Sequence, residues 1–158
     1  MNPVILTSHS QEQTEELGRR TAQLLHPGDV VALYGCVGSG KTAFVRGLAA
    51  GLGIRDRVCS PTFALVHRYR GDRQKQIPYL SHYDFDRLVS PEELDDSGFY
   101  DALDAGDILA LEWSERVEEC LPQGTLKIRI QYDPAKPEER LFSLEDEAGR
   151  FDVLEGVL

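Results

Sequence analysis

Residues 35–42, Gly-Cys-Val-Gly-Ser-Gly-Lys-Thr, have the spacing G-x-x-x-x-G-K-[ST], and the chemistry that suits them is the capture of a polyphosphate. Glycine reaches backbone angles closed to other residues, so the amides of Gly35, Cys36, Val37, Gly38, Ser39 and Gly40 can turn inward around an anion. Lys41 would reach the β- and γ-phosphates, and the Thr42 hydroxyl would ligate Mg²⁺. Ala43 follows in the first turn of a helix whose N-terminal partial charge faces the same anion. A turn without a ligand would need neither Lys41 nor Thr42.

Three further positions offer chemistry. Asp107-Ile-Leu-Ala-Leu-Glu112 reads as a buried strand ending in a carboxylate, the place where a parallel sheet presents an acid to its ligand. Glu112 would bind Mg²⁺ directly or through water, or polarise a nucleophile. Asp84 and Asp86 alternate just after a strand and would share a side if that geometry persists; otherwise they are surface residues of a loop. Thr62, after Ser60-Pro61, is either a hydroxyl for the metal or the attacking water in a loop that senses the γ-phosphate, or the cap of its own turn. Trp113, the only tryptophan, is a lid over the ligand or a core residue.

These groups need a frame to position them. Val30 to Tyr34 is an apolar run suited to a strand buried on both faces, and Phe44, Leu48 and Leu52 at i, i+4 and i+8 predict a helix over 41–52 closed by Gly53. Before them, 4–7 reads as a strand, and Ser10 with Gln13 as a capping box opening a helix to about Leu25, with Thr14, Leu17, Thr21, Leu24 and Leu25 on one stripe. Beyond them, 64–69 and 77–83 form a hairpin whose second strand is an edge or starts late because of Pro78. Ser90-Pro91-Glu92-Glu93 begins a helix, 114–120 reads as a short acidic helix, and 126–132 and 140–145 alternate as strands. The last two are expected to be antiparallel additions to an otherwise parallel sheet, with 146–158 an ordered or frayed tail. The predicted fold class is α/β: a P-loop NTPase with a central, mainly parallel sheet flanked by helices and extended by antiparallel strands, one domain over 1–158.

The composition narrows the function classes. A chain of 158 residues with 41% hydrophobic and 28% charged residues describes an ordinary globular protein. Its net charge of -10 opposes broad binding to nucleic acid, so any such role would run through a partner or a local basic patch. Arg68, Arg70, Arg73 and Lys75 form one such patch at the hairpin, a docking point or a solvated tip. Cys36, Cys59 and Cys120 suggest neither a disulfide framework nor a zinc site. The absence of a signal peptide or long apolar run predicts a cytoplasmic protein with no membrane association.

The ordered motifs GxxGxGKT, Ser-Pro-Thr-Phe, His-x-Asp-x-x-Arg-Leu and Leu-Glu-Trp, over about residues 10 to 132, resemble the bacterial TsaE (YjeE) proteins. The resemblance implies a P-loop ATPase, using ATP and Mg²⁺, that assists synthesis of threonylcarbamoyladenosine in tRNA by acting on TsaB and TsaD, with tRNA met only indirectly. Carried over by position, it gives Lys41 to the phosphates, Thr42 and Glu112 to Mg²⁺, Asp84 to the metal or catalytic water, Thr62 to a switch-like loop, Trp113 to the nucleotide's neighbourhood and Thr14 to that of the base. The family usually has Asp where Cys36 stands and Tyr where Asp86 stands, which implies altered electrostatics there.

Three other functions use the same cradle. A small-molecule kinase would need an acceptor pocket and an arginine-bearing lid, for which only the 68–75 hairpin offers residues. A GTPase would need an Asn-Lys-x-Asp motif, which does not occur. An ATP-gated interaction module differs from a catalytic ATPase in that its hydrolysis is incidental.

Overall fold

The computed structural model describes residues 2–36, 38–61 and 64–158, so the expectations for Val37 and Thr62 lie outside the described residues. The strands are β1 (Val4–Ser8), β2 (Val30–Tyr34), β3 (Val66–Arg70), β4 (Tyr79–Asp84), β5 (Ile108–Glu112), β6 (Leu126–Tyr132) and β7 (Arg140–Glu145). The α-helices are α1 (Gln11–Ala22), α2 (Lys41–Gly51), α3 (Pro91–Asp96) and α4 (Phe99–Asp104). One sheet takes the order β1-β7-β6-β2-β5-β4-β3. Its centre, β6-β2-β5-β4, is parallel; β1, β7 and β3 pair antiparallel to their neighbours.

Strand β6 corrects an expectation, because it runs parallel to β2 with Val31 opposite Leu126 and Tyr34 opposite Arg129. The alternation of Leu126, Ile128 and Ile130 with Lys127, Arg129 and Gln131 reports one covered face and says nothing of direction. Direction comes from the crossover through the 3₁₀ segment Ser114–Cys120, which returns the chain to the starting edge of the sheet.

Helices cover both sides of the central strands. On one side Leu17 of α1 and Phe44, Val45 and Leu48 of α2 share a core with Val31, Leu33, Ile108 and Ala110. Phe151 and Leu154 join that core, and Arg150 binds Asp29 at 2.6 Å, so the C-terminal segment is ordered. On the other side Phe99 of α4 and Val117 pack on Val30, Tyr83, Leu109 and Leu111. Strands β2 and β5 are therefore buried throughout, which is why their sequences are unbroken apolar runs up to the final position.

Local signals set the element ends. Ser10 Oγ accepts from the Gln13 amide at 3.1 Å, and the Gln13 side chain accepts from the His9 amide at 2.7 Å. Helix α1 stops at Ala22, short of Leu25, because the chain already turns toward Pro27-Gly28. Pro78 delays β4 to Tyr79, and Gly98, at φ +83°, separates α3 from α4.

The N-terminus of α2 is aimed by a close crossing with α1. A Cβ on Gly47 would lie 1.9 Å from the Glu15 carbonyl oxygen, and one on Gly18 would lie 2.3 Å from that of Phe44. Backbone meets backbone there, and no side chain fits between. Gly47→Ala should therefore destabilise the fold by about 2–3 kcal/mol despite alanine's better helix propensity, because the helices must separate. Urea unfolding of the two proteins measures the difference; equal midpoints would show that the crossing tolerates a methyl group.

Candidate functional site at the carboxyl edge of the sheet

Strands β2, β4 and β5 end at the same edge. Their last residues are Tyr34, Asp84 and Glu112, and Asp84 is the direct register partner of Glu112. In the same two strands His82 faces Ala110 and Leu80 faces Ile108, so the face that carries apolar core at one end carries two carboxylates at the other. That is also the face on which α2 lies. The turn after β2 delivers Gly38 at φ +81° and Gly40 at φ +106°, left-handed angles that favour glycine, and Gly40 is the N-cap of α2.

A cavity of about 650 Å³ opens at this edge. Gly38, Gly40, Lys41, Thr42 and Ala43 of the loop and helix start line it together with Asp84, Asp86, Glu112 and Trp113. Thr14 of α1 also lines it. Of the predicted residues, Lys41, Thr42, Asp84, Glu112, Trp113 and Thr14 thus meet around one space. Gly35, Cys36 and Ser39 do not line it: Cys36 is exposed, Gly35 faces inward through its carbonyl, and Ser39 is buried with no partner for its hydroxyl among the described residues.

Lys41 is 6% exposed, which for a cation requires partners. Its Nζ donates to the Gly35 carbonyl at 2.6 Å and lies 4.3 Å from the centroid of the Trp113 ring. Trp113 therefore belongs to both readings: its ring faces the cavity and also packs on the second core cluster. It adopts φ +59°, ψ +44°, an uncommon conformation for a bulky residue, imposed between the buried end of β5 and the 3₁₀ turn that begins at Ser114.

Burial raises the pKa of Asp84, the adjacent Glu112 and Asp86 raise it further, and hydrogen bonds from the Asp86 amide and Ser60 Oγ oppose them. The β geometry does not continue past Asp84, yet Asp86 still reaches the cavity by a turn in which its amide donates to Asp84 Oδ1 at 3.0 Å. Among the described residues no group of three or more His, Cys, Asp or Glu could hold a metal unaided. Mg²⁺ does not require one, since it keeps several waters and commonly takes only one or two carboxylates beside substrate phosphates. An oxygen-only set of Thr42, Asp84 and Glu112, with the Asp84 carboxyl raised in pKa by burial, fits that ion.

The family described as "Threonylcarbamoyl adenosine biosynthesis protein TsaE" matches residues 8–141. The chain belongs to the TsaE family. It is 39% identical over 124 residues to the tRNA threonylcarbamoyladenosine biosynthesis protein TsaE of Treponema pallidum, covering 78% of this chain and 88% of that one. It is 34% identical over 143 residues to TsaE of Bacillus subtilis, covering 90% and 85%. The crystal structure of Bacillus subtilis YdiB superposes with a TM-score of 0.72 at 30% identity, over 96% of this chain and 90% of that one.

Two contacts of this TsaE-family site escape sequence reasoning. His82, fully buried, places Nε2 2.5 Å from Glu112 Oε2, while its Nδ1 has no partner among the described residues. A carboxylate only accepts, so the contact is one in which the Nε2 N–H donates to Glu112. The signal was present as a histidine two residues before Asp84 on the same strand face. Arg140, at the start of β7, donates from Nη2 to the Gly38 carbonyl at 3.1 Å, a contact across 102 residues that no local pattern announces.

A raised folded-state pKa means that Asp84 favours folding below its unfolded value and loses that contribution as pH rises through the folded value. Asp84→Asn should therefore raise the melting temperature of the nucleotide-free protein at pH 7 and have little effect near pH 3.5. Thermal denaturation at both pH values tests this; destabilisation at pH 7 would show that the carboxylate is balanced by something other than a bound cation.

Proposed function

We infer that this TsaE-family chain is a P-loop ATPase that works in tRNA threonylcarbamoyladenosine synthesis through nucleotide-dependent association with TsaB and TsaD in the cytoplasm. Residues 1–158 act as one such domain. The observation that carries the reading is the convergence of Lys41 and Thr42 at the start of α2 with Asp84 and Glu112 at the ends of adjacent parallel strands. Three sequence segments, at residues 41–42, 84 and 112, supply the charges of a single cavity. Bound Mg²⁺ would neutralise the phosphates and orient the terminal one.

Within that reading each residue has a definite task. The loop amides and Lys41 hold the phosphates, Lys41 exchanging its Gly35 carbonyl for phosphate oxygen while Trp113 limits where the ammonium can swing. Thr42 and Asp84 face the metal. His82 engages one oxygen of Glu112, which leaves the other free to help hold Mg²⁺ or to orient the attacking water when the nucleotide is bound.

The kinase alternative loses its lid. Strand β4 ends at the cavity, so the β3–β4 turn with Arg70, Arg73 and Lys75 opens at the opposite edge of the sheet, about 17 Å away along six residues. None of those side chains lines the cavity. Arg68, moreover, pairs with the fully buried Asp107 at 3.0 Å and lies over the Tyr79 ring at 4.0 Å while its side chain stays 47% exposed.

Lys41→Ala should abolish measurable ATP binding in calorimetry with Mg²⁺, because it removes the buried cation of the loop. Glu112→Gln keeps the shape and the His82 contact, so binding should persist while hydrolysis falls on the order of 100-fold. Unchanged turnover in both variants would remove the ATPase reading.

With a net charge of -10 the isolated protein gains little counterion-release energy from tRNA. Filter binding should find weak or no tRNA association, and pull-down of TsaB and TsaD should depend on ATP against ADP at physiological salt. Tight tRNA binding, or partner capture indifferent to nucleotide, would contradict the proposed route.

A further inference from the structure

Positive charge is concentrated in one stretch of this acidic chain. Residues 46–75 hold seven of the 17 Lys and Arg and two of the 27 Asp and Glu, a net +5 where the remainder carries -15. All seven cations are exposed.

The fold gathers them at one end of the sheet. Strand β3 is its edge strand, and the turn from β3 into β4 presents Arg70, Arg73 and Lys75, the first two lining a hollow of about 360 Å³. The segment that follows α2 runs back along the same strand: Ile54 and Val58 share a core with Tyr69 and Ile77, and the Cys59 carbonyl lies 3.2 Å from His67 Nδ1. At the turn, a Cβ on Gly53 would lie 3.9 Å from Asp72 Oδ2. Arg55 and Arg57 are thereby carried beside the hairpin, and Arg46 of α2 joins them by donating from Nε to the Val58 carbonyl at 3.3 Å.

These cations differ from the others in lacking counter-ions. Elsewhere Arg19, Arg20, Lys127, Arg129, Lys136 and Arg150 each pair with a carboxylate. Here Arg68 binds Asp107, whereas Arg55, Arg57, Arg70, Arg73 and Lys75 form no ion pair among the described residues. Like charges gathered without counter-ions repel one another, and a polyanion relieves that repulsion.

The surroundings select the class of polyanion. Among the described residues, no large apolar side chain of 46–75 is exposed. A protein interface has an aromatic or aliphatic centre from which charge is depleted, whereas a nucleic-acid interface is polar and rich in cations. Six of the seven cations are arginines, whose planar fork grips phosphate oxygens two at a time.

We propose that the β3 end of the molecule, from Arg55 and Arg57 to Arg70, Arg73 and Lys75, is a contact surface for the phosphate backbone of RNA. That the RNA is a tRNA rests on the function proposed above. None of these cations lines the nucleotide cavity, so the two sites are separable. The acidic remainder of the chain keeps the isolated protein's affinity low, and the contact gains weight where partners already hold the RNA nearby.

Fluorescence anisotropy with a labelled tRNA anticodon stem-loop, taken over a range of salt, measures the contact. Binding should be present at about 20 mM salt and fade with a slope of log K on log salt of about -4, becoming weak at physiological salt. Arg55→Gln with Arg57→Gln, and Arg70→Gln with Arg73→Gln, should each weaken it about tenfold at the low salt and lessen the slope by about 2. Arg19→Gln with Arg20→Gln makes the same change of net charge on α1 and should leave affinity and slope unchanged. ATP binding in calorimetry should be unaltered in all three double variants. Equal losses in the α1 variant, or no RNA binding even at low salt, would overturn the surface. Tighter binding of polyglutamate than of the RNA would assign it to an acidic protein and overturn it as well. A protein that binds RNA in this way but does not bind ATP would keep the surface and remove the ATPase reading.

Discussion

Two carboxylates held side by side at the buried end of a sheet are the constraint that gives this molecule its organisation. Asp84 and Glu112 are register partners on adjacent parallel strands, and a shift of either strand by one residue would exchange the residues packed in its two separate cores and carry its acid to the opposite face. The core therefore fixes where the acids stand. Burial and the neighbouring carboxylates raise the Asp84 pKa, and the Asp86 amide and the Ser60 hydroxyl oppose them, while His82 contacts Glu112. The arrangement is one that a cation would relieve, and the positive end of α2 with Lys41 lines the same cavity.

The aim of α2 depends in turn on a contact without side chains. Gly18 and Gly47 bring α1 and α2 to backbone contact, which seats the N-terminus of α2 above the ends of β2 and β5 and brings Thr14 to the same cavity. Polar groups around this crossing are local and satisfied: Thr14 Oγ1 lies 2.7 Å from Ser8 Oγ, and Thr21 donates to the Leu17 carbonyl at 2.8 Å. A second network lies beneath the loop, where the Tyr34 hydroxyl donates to Glu118, which also accepts from Lys127 at 2.6 Å. That network ties the end of β2 to the segment following Trp113, so both walls of the site are anchored to the same strand end.

Sequence reasoning reached those parts whose physics is local. The strand into Gly35–Thr42, the helix after it, and the apolar run ending at Glu112 each carry their own periodicity, and each is present within a few residues of its expected bounds. Directions and pairings were less legible. The alternation in β6 marks one buried face and cannot say that the strand runs parallel to β2; Arg68 looks like a surface charge until β4 and β5 place Asp107 beneath it. His82 against Glu112 and Arg140 against Gly38 join residues 30 and 102 apart, and nothing but the fold creates them. The close approach at Gly47 was hidden for the opposite reason, since a glycine inside a helix reads as a weakness until its neighbour is known.

The central claim is that the loop at 35–42 and the Asp84–Glu112 pair serve one metal-bound triphosphate. A crystal structure with a non-hydrolysable ATP analogue and Mn²⁺ in place of Mg²⁺, with the metal located by anomalous scattering, addresses it directly. The account predicts the triphosphate against the amides of residues 35–42 and the metal coordinated by Thr42 Oγ1, with Asp84 or Glu112 bound to it directly or through one water. Metal or triphosphate located elsewhere, such as the hollow between Arg70 and Arg73 at the far edge of the sheet, would contradict it.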